Sequence, residues 1–208
     1  MSRVLKIKVF AGTILIFIST VIVLFLKEDN SNISIKLEPS PSYRQKIKGT
    51  EAKIVIYEFS DFSCPACEKM HFYLKDLIDY FPYIRVDFKH YPLTNLHPNA
   101  MKAAIWAECA GKEYGKFWEF ADLLFSTRDK WSNSTDSTKY FEEFSKKISL
   151  DLYVMKNCVS SSNAIDLVKK DMNEGDRIGV DSTPTFFLNG KKAIGGHQLV
   201  ERLKEVIK

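Results

Sequence analysis

Apolar positions divide the chain into a charge-free N-terminal segment, a strand–helix–strand stretch, a helical block, and a closing hairpin and helix. A nearly continuous β-branched and aromatic run over residues 54–59 predicts a strand buried on both faces. The apolar residues that follow recur at helical spacing: Met70, Tyr73, Leu74, Leu77 and Phe81. Residues 84–89 then alternate between apolar and charged side chains, which is strand spacing. This order predicts a right-handed βαβ unit with parallel strands.

The second half of the chain changes to helical periodicity before it returns to strand. Alanine and aromatic repeats begin at residue 98, and further helices are predicted over 138–148, 151–160 and 162–177. A short strand at 185–188 precedes Asn189-Gly190, which favours a type I′ hairpin turn. We therefore predict these segments: a linker at 27–48, one α/β domain made of 49–92 and 179–208, and a helical insertion at 93–178.

The first residues indicate where the protein resides. Residues 9–26 form an 18-residue segment without a charge, preceded by Arg3, Lys6 and Lys8 and followed by no Ala-x-Ala-like cleavage site. This length reaches the lower end of what spans a bilayer as a helix. We therefore predict a single-pass anchor in the cytoplasmic membrane, with the rest of the chain on the extracytoplasmic side. The alternative is a signal peptide that is cleaved.

Composition and charge narrow the function classes. With 45% apolar and 13% aromatic residues, the chain can bury a proper core. Beyond residue 26 the chain carries 27 basic and 26 acidic side chains, so charge gives no case for nucleic-acid binding. The four cysteines comprise one close pair and two distant single residues, an even number compatible with two disulfides in an oxidising compartment.

The close pair, Cys64-Pro65-Ala66-Cys67, carries the strongest chemical signal. Pro65 falls at the first helical position, where its missing N–H costs nothing, so Cys64 is predicted at a helix N-terminus. Unpaired N–H groups and the helix dipole stabilise a thiolate there, whereas Cys67 lies one turn inside the helix. An exposed, ionised sulfur that attacks and a second sulfur that resolves the mixed disulfide are what thiol-disulfide exchange requires.

Metal binding is the alternative reading of the same cysteines. Cys64 and Cys67 could form half of a zinc site with His71, but no second closely spaced ligand pair follows. We expect no metal and no cofactor. The four histidines are assigned no chemistry, because a thiolate at a helix terminus needs no base. Turn or surface positions are expected for them.

Beyond the cysteine pair, four segments form a recognisable series along the chain: residues 58–67, residues 90–93 with 97–98, residues 115–119, and residues 182–190. Together, and in this order, these segments resemble the DsbA family of the thioredoxin superfamily, and especially its BdbD-like branch. Pro184 lies just before the predicted hairpin strand, where the superfamily carries a cis-proline that faces the reactive pair. The resemblance covers residues 49–208 and implies a thioredoxin fold with an inserted helical domain.

The resemblance also implies roles for individual residues. Cys64 matches the nucleophile, Cys67 the resolving cysteine, and Pro184 the cis-proline. Thr183 matches the residue whose backbone meets the substrate peptide. Glu58 matches a buried acid that could relay the proton of the resolving thiol, although a solvated glutamate at a strand end is the alternative. In related proteins a structural disulfide joins cysteines placed similarly to Cys109 and Cys158.

By this resemblance the protein is expected to be an oxidase. It would pass its own disulfide to reduced exported polypeptides, and a quinone-linked thiol oxidase in the membrane would reoxidise it. The sequence shows no dimerisation domain of the kind that isomerases of the superfamily carry, and this favours an oxidase over an isomerase. A disulfide reductase or isomerase of the same fold, and a thiol metal-binding module, remain the alternatives.

Overall fold

The strands predicted from the apolar pattern pair into one mixed sheet together with a short strand from the predicted linker. The computed structural model describes residues 35–207, so the predicted anchor at 1–26 lies outside the described residues. The strands are β1 (Gln45–Lys46), β2 (Ile54–Ser60), β3 (Ile84–His90), β4 (Thr185–Leu188) and β5 (Lys191–Ile194). Their order is β1-β3-β2-β4-β5, with β2 and β3 parallel and the other neighbours antiparallel.

Helices connect these strands in the predicted order. Helix α1 (Pro65–Tyr80) joins β2 to β3, and α8 (Gly195–Val206) follows the hairpin. Between β3 and β4 lie α2 (Ala100–Tyr114), α3 (Phe117–Ser126), α4 (Arg128–Trp131), α5 (Ser137–Lys147), α6 (Leu152–Ser160) and α7 (Ser162–Arg177). The helical insertion is therefore confirmed. Asn189 and Gly190 have φ values of 52° and 75°, the two positive values that a type I′ turn requires. Among residues 35–207 no helix is both long and apolar enough to cross a bilayer.

Apolar clusters hold the helices against the sheet. The first cluster packs α1 and α8 on the sheet and includes Ile56, Leu74, Val86, Phe186 and Leu199. A second forms the interior of the insertion and reaches Phe62, Cys64 and Cys67 at the start of α1. The chain around the cysteine pair is thus part of the insertion's core.

The predicted linker at 27–48 needs correction for the residues that the structure describes. Residues 35–46 pack against the domain rather than forming a free tether. Tyr43 lies so close to α2 that a Cβ on Gly111 would come within 2.5 Å of its ring. β1 pairs with the edge of β3, and Arg44 is 1% exposed. The segment shows no apolar period because its buried side chains include polar and charged ones, Ser40 and Arg44.

These contacts centre on a buried group of charged residues. Arg44 Nε lies 3.2 Å from Glu108 Oε2 on α2, and the Arg44 guanidinium also pairs with Asp171 on α7. Lys89 Nζ on β3 donates to Glu174 Oε2 at 2.7 Å. Of the charged residues of β3 that alternate with apolar ones, Asp87 and Lys89 are buried, and each has an ionic partner; Arg85 is partly exposed.

A disulfide fastens the insertion internally. Cys109 on α2 and Cys158 on α6 are bonded across a sequence separation of 49 residues. By the chain-entropy model, a loop of this length stabilises the folded state by roughly 4 kcal/mol. Cys64 and Cys67 take no part in it and are free thiols.

Replacement of Arg44 by alanine tests the packing of the N-terminal segment. The variant leaves the Glu108 carboxylate buried without the guanidinium and removes one of the two cations beside Asp171, so we expect a loss of about 3–5 kcal/mol in the free energy of unfolding. Arg202→Ala is the matched control, because Arg202 pairs with Glu205 on the exposed face of α8. That control should change stability by less than about 0.5 kcal/mol. Equal, small losses in denaturant titrations of both variants would show that the segment is not held by its charges.

Candidate active site

The two free thiols lie where β2 ends and α1 begins. Cys64 is the N-cap of α1, with Pro65 at the first helical position, as the sequence predicts. The Cys64 N–H donates to Asp61 O at 3.0 Å, and Cys64 O accepts the first helical hydrogen bond from Glu68 N at 3.1 Å. This turn directs the Cys64 side chain at the helix N-terminus.

Cys64 is the thiol whose charged form the surroundings favour. The Cys67 thiol and the Cys67 N–H donate hydrogen bonds to its sulfur and lower the pKa of Cys64 to about 5, although burial acts in the opposite direction. Cys64 is therefore ionised at neutral pH. The residue is only 7% exposed, less than the exposed sulfur that the sequence predicts, because its Sγ lies 3.4 Å from Thr183 O.

Cys67 has the opposite properties. Its side chain is completely buried, and its Sγ accepts a hydrogen bond from the Asp61 N–H at 3.5 Å. Burial and the neighbouring Cys64 thiolate raise the pKa of Cys67 well above its ordinary value. The pair therefore combines one ionised and one protonated thiol, as the sequence predicts for thiol-disulfide exchange.

A second loop faces the cysteines. The Thr183–Pro184 peptide bond is cis, and its threonine carbonyl is the group next to Cys64. Gly195 N donates to Pro184 O at 2.9 Å, which fixes the loop to the start of α8. The hydroxyl of Thr183 is buried without a hydrogen-bond partner among the described residues. The structure thus brings Thr183 and Pro184 to the reactive pair.

Glu58 lies deep in β2, where it pairs with Phe186 of β4. Its side chain is 1% exposed, so the structure excludes a solvated glutamate at a strand end. Burial raises the pKa of Glu58 to about 7, and the negative charge of Cys64 acts in the same direction. Its Oε1 has no hydrogen-bond partner within residues 35–207. This carboxyl can change protonation state near neutral pH in an apolar site.

Two histidines differ from the expectation of turn or surface positions. His71 and His90 are 2% and 0% exposed. His71 Nε2 lies 2.6 Å from Asp122 Oδ1 on α3, and His90 Nε2 lies 3.1 Å from Glu108 Oε2 on α2. Both residues connect the sheet or α1 to the insertion through a carboxylate. Such partners are distant in sequence, so no local pattern could predict them.

Asp61 is a site residue that our sequence analysis missed. Its carboxylate is buried and lies between the cysteine turn and the loop after β3, where His97 is a partner. Asp61 lies three residues before the N-cap Cys64, and its side chain accepts from the backbone N–H of Ser63, two residues on, which is a common turn arrangement for aspartate. The sequence carries this turn signal at Ser60-Asp61. The signal predicts the turn, but it does not predict that the carboxylate also contacts the loop after β3.

The described residues offer no metal centre. Within residues 35–207, no group of three or more histidine, cysteine, aspartate or glutamate side chains is arranged to hold an ion. The aromatic side chains near the pair instead form an apolar wall. The Phe62 ring lies 5.2 Å from that of Phe88 and 5.0 Å from that of Phe125 on α3.

Solved structures share this architecture. The alpha-DsbA1 protein of Wolbachia pipientis is 22% identical, with a TM-score of 0.66 over 82% of this chain and 92% of that one. BdbD from Bacillus subtilis is 20% identical, with a TM-score of 0.66 over 82% of this chain and 95% of that one. These likenesses confirm the predicted DsbA-like fold.

Sequence comparisons identify the family. The Na(+)/H(+) antiporter NhaA 3 of Salinispora tropica is 32% identical over 157 residues, which are 75% of this chain and 23% of the antiporter. The chain thus spans about a quarter of the length of the curated relatives it matches. A family model described as thioredoxin matches residues 47–208. The protein therefore belongs to the thioredoxin family.

Proposed function

We propose that the protein is a thiol-disulfide oxidoreductase that acts on other proteins through Cys64 and Cys67. The observation that carries the proposal is the opposite ionisation of two adjacent thiols at a helix N-terminus. Thiolates are the attacking and leaving groups of disulfide exchange, so the sulfur with the lowered pKa is the one that bonds to substrate.

The reaction has two steps in the oxidising direction. A substrate thiolate attacks Cys64 Sγ of the Cys64–Cys67 disulfide, a mixed disulfide forms, and Cys67 leaves as a thiolate that takes up a proton. A second substrate thiolate then attacks the substrate sulfur of the mixed disulfide, and Cys64 leaves as the stabilised thiolate. The substrate loses two electrons and the protein gains them.

Glu58, Thr183 and Pro184 are proposed to assist these steps. Glu58 lies in the strand that leads to the cysteines and interacts electrostatically with both, so its carboxyl can deliver or accept the proton of Cys67. The loop of Thr183 and Pro184 faces Cys64, and we propose that a substrate peptide binds along it. We propose that Cys109 and Cys158 stabilise the insertion through their disulfide and take no part in the exchange reaction.

Oxidation of exported polypeptides is the direction we propose. The solved structures with this architecture include one described as a thiol-disulfide exchange protein. A stabilised Cys64 thiolate favours the reduced form of the pair, and this makes its disulfide a good oxidant. Reoxidation then requires a partner, for which we propose a quinone-linked thiol oxidase in the membrane.

The location is proposed from the sequence of the first residues. The charge-free segment at 9–26, with its basic flank, supports attachment to the cytoplasmic membrane and an extracytoplasmic catalytic domain. The antiporter name of the curated relatives belongs to those whole proteins, and the described residues support redox chemistry rather than ion transport.

A trapping experiment in cells tests activity and location together. In the Cys67→Ser variant no internal thiol can release Cys64 from a mixed disulfide, so exported polypeptides should accumulate bound to the variant in the membrane fraction. The Cys64→Ala variant is the matched control and should trap nothing. Mass spectrometry of non-reduced samples identifies the partners.

Two results would contradict the proposals separately. Equal trapping by both variants would show that Cys64 is not the nucleophile. A freely soluble protein that begins after about residue 26 would contradict the anchor without affecting the chemistry.

The Glu58→Gln variant tests the buried carboxyl. Because burial raises the pKa of Glu58 from 4.5 to about 7, wild-type protein loses stability as the pH rises through this range and the charge forms. Glutamine stays neutral at every pH. The free energy of unfolding of the variant should therefore exceed that of the reduced wild type, by an amount that reaches on the order of 3 kcal/mol above pH 7. Denaturant titrations at pH 5 and pH 8 measure it.

Glu51→Gln is the matched control, since it replaces an exposed glutamate just before β2. A difference between Glu58→Gln and wild type that is the same at both pH values would show that the pKa of Glu58 is not raised in the folded protein.

A further inference from the structure

The Asp61 carboxylate joins the cysteine turn to the loop after β3. It is 1% exposed. Oδ1 accepts from Ser63 N at 2.7 Å, and Oδ2 accepts from Leu93 N at 2.9 Å. The third contact is His97 Nδ1, 2.7 Å from Oδ2. Three hydrogen bonds to one buried carboxylate fix its position.

The backbone of the same residue contacts both cysteines. Asp61 O accepts from Cys64 N at 3.0 Å, and Asp61 N donates to Cys67 Sγ at 3.5 Å. Any shift of Asp61 therefore moves a hydrogen-bond donor of the resolving sulfur and the turn that places the attacking one. The position of this backbone depends on what holds its side chain.

His97 is the one partner of the carboxylate, within residues 35–207, that belongs to a side chain. Its imidazole is 23% exposed, while the carboxylate it contacts is completely buried. His97 lies 33 residues after Cys64 in the chain and makes no direct hydrogen bond to either sulfur in the described residues. The hydrogen-bonded connection from His97 to the cysteines therefore runs through Asp61.

We propose that His97 is a positioning residue for the redox pair, acting through Asp61. The inference rests on the proposed function. By donating to the carboxylate, His97 holds the Asp61 N–H on Cys67 Sγ and the Asp61 carbonyl on Cys64 N. Without this donor, the turn that places both cysteines is less firmly held. The hydrogen bonds from Cys67 to the Cys64 sulfur then weaken, so the thiolate becomes less stable.

Three histidine variants of the full chain test the proposal. In His97→Ala the donor is lost, and we expect the pKa of Cys64 to rise by about one unit. The same change should make the equilibrium with glutathione about tenfold less oxidising, or about 30 mV. In His97→Asn an amide N–H replaces Nδ1–H at similar reach, so both values should return towards wild type. His197→Ala changes an exposed histidine on α8 and should leave both values unchanged.

Thiolate absorbance as a function of pH gives the pKa, and redox titration gives the equilibrium constant. If His97→Ala keeps both wild-type values and still exchanges disulfides, the positioning role is wrong while the proposed function stands. If wild-type protein does not exchange disulfides at all, the proposed function is wrong. If His97→Ala does not fold, His97→Gln takes its place. The glutamine amide lies one bond farther from the backbone than the asparagine amide and does not match the position of Nδ1–H. The same rise in the pKa of Cys64 and the same change in the glutathione equilibrium are then expected for His97→Gln relative to His97→Asn.

Discussion

The negative charge on Cys64 at the N-terminus of α1 is the interaction on which the site depends. A sulfur that is 7% exposed would ordinarily remain protonated, because burial disfavours the charged form. Hydrogen bonds from Cys67 reverse this preference, and Cys67 can supply them because it is protonated and completely buried. Each cysteine thus influences the protonation state of the other. The cysteine spacing matters because it places the second thiol one turn along the same helix.

The rest of the fold keeps this pair in an apolar and fixed environment. Phe62 connects the turn to the insertion, and Asp61 connects it to the loop after β3. The insertion is held in turn by the Cys109–Cys158 disulfide and by the charges around Arg44. In this dry setting Glu58 has a pKa near 7, and the same burial that destabilises its charge makes it suitable for moving a proton.

Local sequence patterns predicted most of the fold, while long-range polar contacts could not be predicted. The start of α1 at Pro65, the hairpin at Asn189-Gly190 and the helical insertion follow from periodicity and turn chemistry over short windows. The burial of Arg44 depends on Asp171, which lies 127 residues away. A polar segment with distant partners has the same local pattern as a free linker, so residues 35–46 were interpreted incorrectly.

The reduction potential of the Cys64–Cys67 pair tests the central claim most directly. Each pKa unit by which Cys64 falls favours the reduced form by about 1.4 kcal/mol, or roughly 30 mV for two electrons. Ala66 offers no imidazole that would stabilise the thiolate further. Equilibration of the protein with glutathione should therefore give a value on the order of −200 to −120 mV. A value near that of thioredoxin, about −270 mV, with insulin reduced faster than a reduced test protein is oxidised, would contradict the account and indicate a reductase.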